Sequence, residues 1–149
     1  MDLAMSREER EKFLAEVHVG VIAVPDDRTD LAPLQLPIWY DYRPGGEIVL
    51  LTERVSRKAE LIRLAGRFSC CVQDERPPYR YVSVEGPVVA EEDVDPDEWE
   101  ALAHRYLDAD EAASYLAANR HQLRDNATFR MRPEHWRTAD FEAFAATFG

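Results

Sequence analysis

Lysine is nearly missing from this 149-residue chain: it occurs twice, at Lys12 and Lys58, against sixteen arginines. Basic residues together number 18 against 29 acidic ones, a net charge of −11. That deficit argues against nucleic acid and anionic membranes as partners, because both are polyanions held by clustered Lys and Arg. No apolar run approaches bilayer length, and Met1 leads into a polar segment with no signal-peptide order, so a cytoplasmic protein is expected. Cysteine is as scarce, with only Cys70 and Cys71. Neighbouring Cα atoms lie ~3.8 Å apart, too close for an ordinary disulfide, and in a strand the two thiols face opposite ways. The four histidines show neither H-x3-H nor HExxH spacing, so no metal is expected. G-x-S-x-G, Walker and G-x-G-x-x-G motifs are also missing, which removes the corresponding hydrolase, nucleotidase and Rossmann readings.

What is present is a folded composition: 46% hydrophobic and 10% aromatic residues, at a length suited to one domain spanning residues 1–149. Ser6 and Glu9 form a capping box opening a helix to about Glu16. Val17–Val24 is β-branched and short, the pattern of a strand covered on both faces. Leu34–Tyr42 alternates but holds Pro37, which cannot donate to a ladder and implies an edge, a bulge or free backbone groups. Pro44-Gly45-Gly46 makes a hairpin turn into a strand at Glu47–Thr52. Ser56 caps a helix from Arg57 to about Gly66. Strands follow at Phe68–Gln73 and Tyr79–Ala90, the second with an expected bulge at Gly86-Pro87. Helical segments run from Asp95-Pro96 to about Arg124, then a strand at Ala127–Arg132 and a helix over Asp140–Phe148. These elements predict a mainly β fold with peripheral α, a six-stranded antiparallel barrel.

Chemistry concentrates in Glu53–Ala59. Arg54, Arg57 and Lys58 crowd a helix N-terminus that already carries about +0.5 charge. Cations there cost stability unless an anion binds the free amides, the Ser56 hydroxyl and these side chains. In a chain that otherwise uses arginine, Lys58 stands out. The alternative is a solvated basic turn in which Ser56 is only a cap. Pro37, Ile38, Trp39 and Tyr40 offer flat apolar surface one hairpin away, suited either to a planar heterocycle or to core packing. Arg80, Arg130 and Arg132 either pair with acids or assist an anionic ligand. The acidity itself is local: Glu91–Glu111 carries ten acids and one base, whereas Glu53–Arg67 is +3.

The ordered pieces VGVIAV, PIWYDY, EIVLLT, S-R-K-A, CCVQDE and PPYRYVSVEGPV resemble the split-barrel flavin-binding proteins related to pyridoxamine 5′-phosphate oxidase. The likeness is to the short actinobacterial-type branch that often uses the deazaflavin coenzyme F420. It implies a six-stranded antiparallel split β-barrel, a homodimer, and FMN or coenzyme F420 at the dimer interface. By the resemblance Ser56, Arg57 and Lys58 hold the cofactor phosphate, and Pro37, Ile38 and Trp39 meet the ring beside Leu51 and Thr52. Gln73 or Trp136 of a second subunit closes the pocket. For F420, a basic groove for its tail would draw on Arg54, Arg63, Arg76 and Arg80. The expected activity is a flavin-type oxidoreductase moving hydride to or from a small planar substrate. The alternative is a non-catalytic flavin, deazaflavin or haem-like ligand carrier. Leu34–Tyr42 carries none of the basic residues with which that strand grips phosphate in pyridoxamine phosphate oxidases, which argues against vitamin B6 oxidation.

Overall fold

The computed structural model of the protein describes residues 2–144. Its elements in chain order are α1 (Arg7–Ala15), β1 (Gly20–Val24), β2 (Leu34–Ile38), β3 (Tyr40–Asp41), β4 (Ile48–Glu53), α2 (Arg57–Ala65), β5 (Arg67–Asp74) and β6 (Arg80–Asp93). Then come α3 (Pro96–Tyr106), α4 (Ala109–Asn119), a 3-10 turn at Arg120–Asp125, β7 (Asn126–Met131) and β8 (His135–Asp140).

All strand pairings are antiparallel, in the order β2-β1-β5-β6-β7-β4-β3, with β8 also on β6. The two ends of that order, β2 and β3, are consecutive in the chain and separated only by Trp39. One residue therefore joins the sheet's edges and curls it into a split barrel. Fourteen-residue β6 serves both halves: its first part pairs with β5 and β8, its last part with β7. The mainly β class and the antiparallel split barrel thus stand, but the six expected strands become eight. Pro37 ends the ladder with β1 one residue later, dividing Leu34–Tyr42 into two strands, and His135–Asp140 adds an edge along β6.

Side chains of alternate positions, including Ile22, Leu50, Val72, Val84, Phe129 and Met131, fill the barrel. Phe13 and Leu14 of α1 and Leu61 and Ile62 of α2 plug it, and each such side chain contributes on the order of 1.5–3 kcal/mol through burial. The α3–α4 hairpin forms a smaller cluster around Trp99, Ala103, Ala112 and Leu116, packed on Leu51 at the outer face of β4.

Several local expectations change. β1 begins at Gly20, and Val17, Val19 and Val21 are exposed, so this strand is covered on one face in the subunit and not on two. The β6 bulge lies between Val88 and Ala90, not at Gly86-Pro87. Gly86 instead sits where β6 crosses the chain after β7: a Cβ there would lie 1.8 Å from the Arg132 carbonyl oxygen. Asp140 closes β8 and Phe141–Phe144 form a 3-10 turn in place of the start of a helix. The rest of the helix expected to Phe148 lies outside the described residues.

Candidate functional site

The N-terminus of α2 is built by Ser56. Its hydroxyl donates to the Glu53 carbonyl at 2.9 Å and accepts from the Ala59 amide at 3.1 Å, so Ser56 is a cap. The Glu60 amide reaches the Ser56 carbonyl, and among the described residues the Arg57 and Lys58 amides donate to no backbone carbonyl or cap. Those two orphan donors point out of the positive end of the helix.

The three cations at this end differ sharply. Arg57 is held by both Asp26 and Asp27 in the loop after β1. Arg54 donates to the Arg124 carbonyl and pairs with Asp93, and Arg63, one turn further on, forks onto Glu91 at 2.9 Å. Lys58 alone has no ion pair or hydrogen bond among the described residues. Half-buried, its ammonium is pushed below its ordinary pKa by desolvation, with the Glu53 carboxylate pulling the other way. A partly desolvated cation with no ion pair among the described residues, beside two free amides, has the donor chemistry a phosphate needs.

A cavity of about 290 Å³ opens between the outer face of β4 and the α3–α4 hairpin. The sheet supplies Ile38, Trp39 and Leu51, and the helical side supplies Trp99, Leu102, Tyr115, Asn119, Gln122 and Leu123. Trp39 stacks on Tyr106 with centroids 4.9 Å apart and planes 7° from parallel; Tyr115 leans across at 5.6 Å and meets Trp99 at 6.2 Å. A second depression adjoins the cavity through shared Glu53, Gln122 and Asn126, and a third continues from it through Arg54 and Val55 to Ser56 and Arg57. The surface thus falls in sequence from an aromatic chamber to the positive end of α2.

Of the ten residues expected at a site, Ile38, Trp39 and Leu51 converge on the chamber and Ser56, Arg57 and Lys58 share the helix end. Thr52 is buried in the barrel opposite Ala127. Trp136 packs against the barrel core with Arg10 over its ring at 4.5 Å, away from the chamber. Pro37 and Gln73 are exposed on the outer face of the other sheet half. There Pro37, Val21, Cys71 and Ser83 stand in one cross-strand row, with Val19, Gln73 and Tyr81 beside it. Arg80, Arg130 and Arg132 pair with Asp74, with Glu92 and Glu98, and with Glu134. Of the four groove arginines, Arg54, Arg63 and Arg80 are likewise taken by acids. Cys70 is buried, its thiol pushed up to about 12 by desolvation, while Cys71 faces out.

Sequence pattern did not single out the helical wall, since Trp99, Tyr115 and Leu123 follow ordinary helical spacing and only the fold brings them to Trp39.

A curled antiparallel sheet joined through one residue, with a polar helix end beside an aromatic chamber, defines a split-barrel protein. The chain belongs to the pyridoxamine 5′-phosphate oxidase family, whose model matches residues 6–138. No curated protein sequence matches it. Among solved structures, it is similar to an F420 reductase at 24% identity and a TM-score of 0.65, over 85% of this chain and 94% of that one. A conserved hypothetical protein from Mycobacterium tuberculosis, Rv2991, aligns at 24% identity and a TM-score of 0.73 over 95% and 88% of the two chains. An FAD and heme binding protein from Mycobacterium smegmatis aligns at 17% identity and a TM-score of 0.65, over 95% and 74%. Among the described residues, no helix is long and apolar enough to cross a membrane.

Proposed function

We propose that the protein is an oxidoreductase that holds a phosphorylated flavin-type cofactor, coenzyme F420 or FMN, along the surface from the aromatic chamber to the α2 N-terminus. The carrying observation is Lys58: an unpaired, half-buried cation beside two orphan amides, in a region where every arginine named above is neutralised. Lys58 and the Arg57 and Lys58 amides would grip the phosphate. Trp39 and Leu51, with Ile38 behind them, would fix the ring, and the α3–α4 wall would keep bulk water from it. The cofactor, when bound, supplies the hydride chemistry; the chain supplies position, a dry wall and hydrogen bonds. No side-chain nucleophile is required.

The exposed, uncharged rows on β1, β5 and β6 would pair with a second copy. That pairing would bring the exposed Gln73 of a partner toward the cofactor, whereas Trp136 stays packed in its own barrel. Of the two cofactors, F420 is favoured by the F420 reductase among the similar structures. The carrier reading is supported by the FAD and heme binding relative and predicts binding without redox exchange.

Thermal unfolding with and without each cofactor tests the reading. A ligand that binds only the native state raises the midpoint by mass action, by about 2.7 kcal/mol of stability at a hundredfold excess over Kd. F420 or FMN should raise it in the wild type and not in Lys58→Ala. No shift with either cofactor, or an equal shift in Lys58→Ala, would overturn the proposal.

A further inference from the structure

The helical wall of the chamber and the end of α2 belong to different parts of the chain. Trp99, Tyr115, Gln122 and Leu123 sit in the insertion between β6 and β7, residues 94–125. Near the α3–α4 turn this insertion is tied to the barrel: Arg105 donates to the Ala15 and Glu16 carbonyls at 3.2 and 2.7 Å, and Tyr106 to the His18 carbonyl at 2.6 Å. Arg130 of β7 forks onto Glu98 of α3 at 2.9 and 3.0 Å. None of these ties includes a residue of α2 or of the turn before it.

Arg54 supplies that link. It stands two residues before the Ser56 cap and lines both depressions between the chamber and the helix end. Where the insertion ends, the Arg54 amide donates to the Asp125 carbonyl at 2.8 Å and its Nε to the Arg124 carbonyl at 2.9 Å. Where the insertion begins, its Nη2 pairs with Asp93. Its own carbonyl accepts from Nη1 of Arg63, in α2, at 3.0 Å. One residue therefore joins both ends of the insertion to α2. Asp93 is almost fully exposed, so that pair contributes little by itself; the rigid guanidinium fork meets a carbonyl and a carboxylate at once, which an ammonium cannot do in the same geometry.

We propose that Arg54 is a positioning residue: it sets the spacing between the ring chamber and the phosphate-binding end of α2, and does not itself hold the phosphate. The inference rests on the cofactor reading above. A molecule that reaches both places binds tightly only when its own length matches their separation, because the second contact is then intramolecular. Fragments that fill one place alone are indifferent to that separation. Arg54 thus acts on the whole cofactor and not on its parts. Its guanidinium is committed to Arg124 and Asp93, which leaves Lys58 and the two amides for the anion.

Three ligands test this role: FMN, riboflavin, which has the same ring and chain without the phosphate, and inorganic phosphate measured by its competition with FMN. F420 and its phosphate-free deazaflavin fragment replace the first two if F420 binds more tightly. Arg54→Ala should weaken FMN at least tenfold and leave riboflavin and phosphate within twofold of wild type. Arg54→Lys keeps the charge without the fork and should show the same split, with FMN weakened several-fold; it carries the test if Arg54→Ala misfolds. Lys58→Ala, by contrast, should weaken FMN and phosphate together and spare riboflavin. Phosphate weakened as much as FMN in Arg54→Ala would make Arg54 a phosphate ligand. Full FMN affinity in Arg54→Lys would reduce its role to local charge, and a parallel loss of all three ligands would make it structural only. Each of these results would overturn the proposal and leave the cofactor reading intact. Failure of both FMN and F420 to bind the wild type would remove the cofactor reading itself, and the positioning role with it.

Discussion

The ring of Tyr106 lies flat on that of Trp39, 4.9 Å away and 7° from parallel, at the one residue where the barrel is split. The phenol oxygen donates to the His18 carbonyl at 2.6 Å and accepts from the Tyr40 amide at 3.1 Å. Tyr106 thus replaces the ladder that Pro37 and Trp39 interrupt, and the same side chain sets the plane of the chamber's aromatic wall. Tyr106→Phe keeps the stack and orphans the Tyr40 amide, which should cost about 1–3 kcal/mol in urea unfolding. Tyr106→Ala also loses the ring contact and should reach about 3–5 kcal/mol. Only the Ala variant should change tryptophan emission strongly, because only there does Trp39 lose its partner.

Much of this arrangement is visible in local sequence pattern. Ser6, Ser56 and Asp95 cap the helices they were expected to open, and Gly66 takes a left-handed φ of 70° at the end of α2. Alternation located β7, and the hairpin turn located β4, to within one residue. β8 is poorly marked by local pattern because His135–Asp140 presents mostly polar side chains; it is a strand because β6 offers a free edge, with Trp136 and Thr138 on the face of Val84 and Val82. The charge reading also changed. Acids of the Glu91–Glu111 stretch reach back to the basic helix through Arg54–Asp93 and Arg63–Glu91, a relation across 39 and 28 residues that no local pattern encodes.

Lys58 should behave as a group kept for binding at the expense of stability. Its pKa is lowered from 10.5 in the folded protein, so the folded state pays for the charged form at neutral pH. Stability attributable to Lys58 therefore rises as pH climbs through the lowered value toward 10.5, opposite in sign to a salt-bridged lysine. Lys58→Met should leave the cofactor-free protein as stable as wild type or more so near neutral pH, while weakening F420 or FMN binding at least tenfold. In the wild type, affinity should fall across the same alkaline window as the ammonium is lost. Fluorescence titration from pH 7 upward, paired with thermal unfolding, measures both.

Arg57 should contribute less to the same affinity than its position suggests. Asp26 is held well below the usual carboxylate range, chiefly by its hydrogen bonds from Arg28, and stays charged throughout ordinary pH. With Asp27 it competes with any anion for the Arg57 guanidinium. Arg57→Gln should weaken cofactor binding less than Lys58→Gln. The paired change Asp26→Asn with Asp27→Asn should strengthen it several-fold by releasing Arg57. An unchanged dissociation constant in the double variant would show that Arg57 does not face the phosphate.

Among the glycines, Gly86 is the one with least room for a side chain. The Arg132 amide donates to Pro87 and the Glu134 amide to Glu85, which draws the connection between β7 and β8 tightly over β6. A methyl group 1.8 Å from the Arg132 carbonyl oxygen cannot be relieved by a side-chain rotation, since the clash is with backbone. Gly86→Ala should cost more than about 3 kcal/mol, among the larger single-residue effects. Pro44→Ala in the exposed hairpin turn provides the comparison and should stay within about 1 kcal/mol.

The outer face of β1, β5 and the first half of β6 offers a test of assembly. In a chain with 32% charged residues, the row Pro37–Val21–Cys71–Ser83 and its neighbours Val19, Gln73 and Tyr81 carry no charge. Val19 and Val21 remain 55% and 40% exposed, so a second copy seated on this face would bury them. Val19 and Val21 are the apolar part of this surface, and clustered apolar surface marks association sites. Val21→Arg places a guanidinium at the centre of the row, and in a two-fold pairing each copy would meet the other's new charge or bury its own unpaired. Light scattering at micromolar concentration should read a dimer for the wild type and a monomer for Val21→Arg. If the dimer completes the cofactor site, the variant should also lose affinity for F420 or FMN although Val21 does not line the chamber. A wild-type monomer that binds cofactor fully would remove the second subunit from the site.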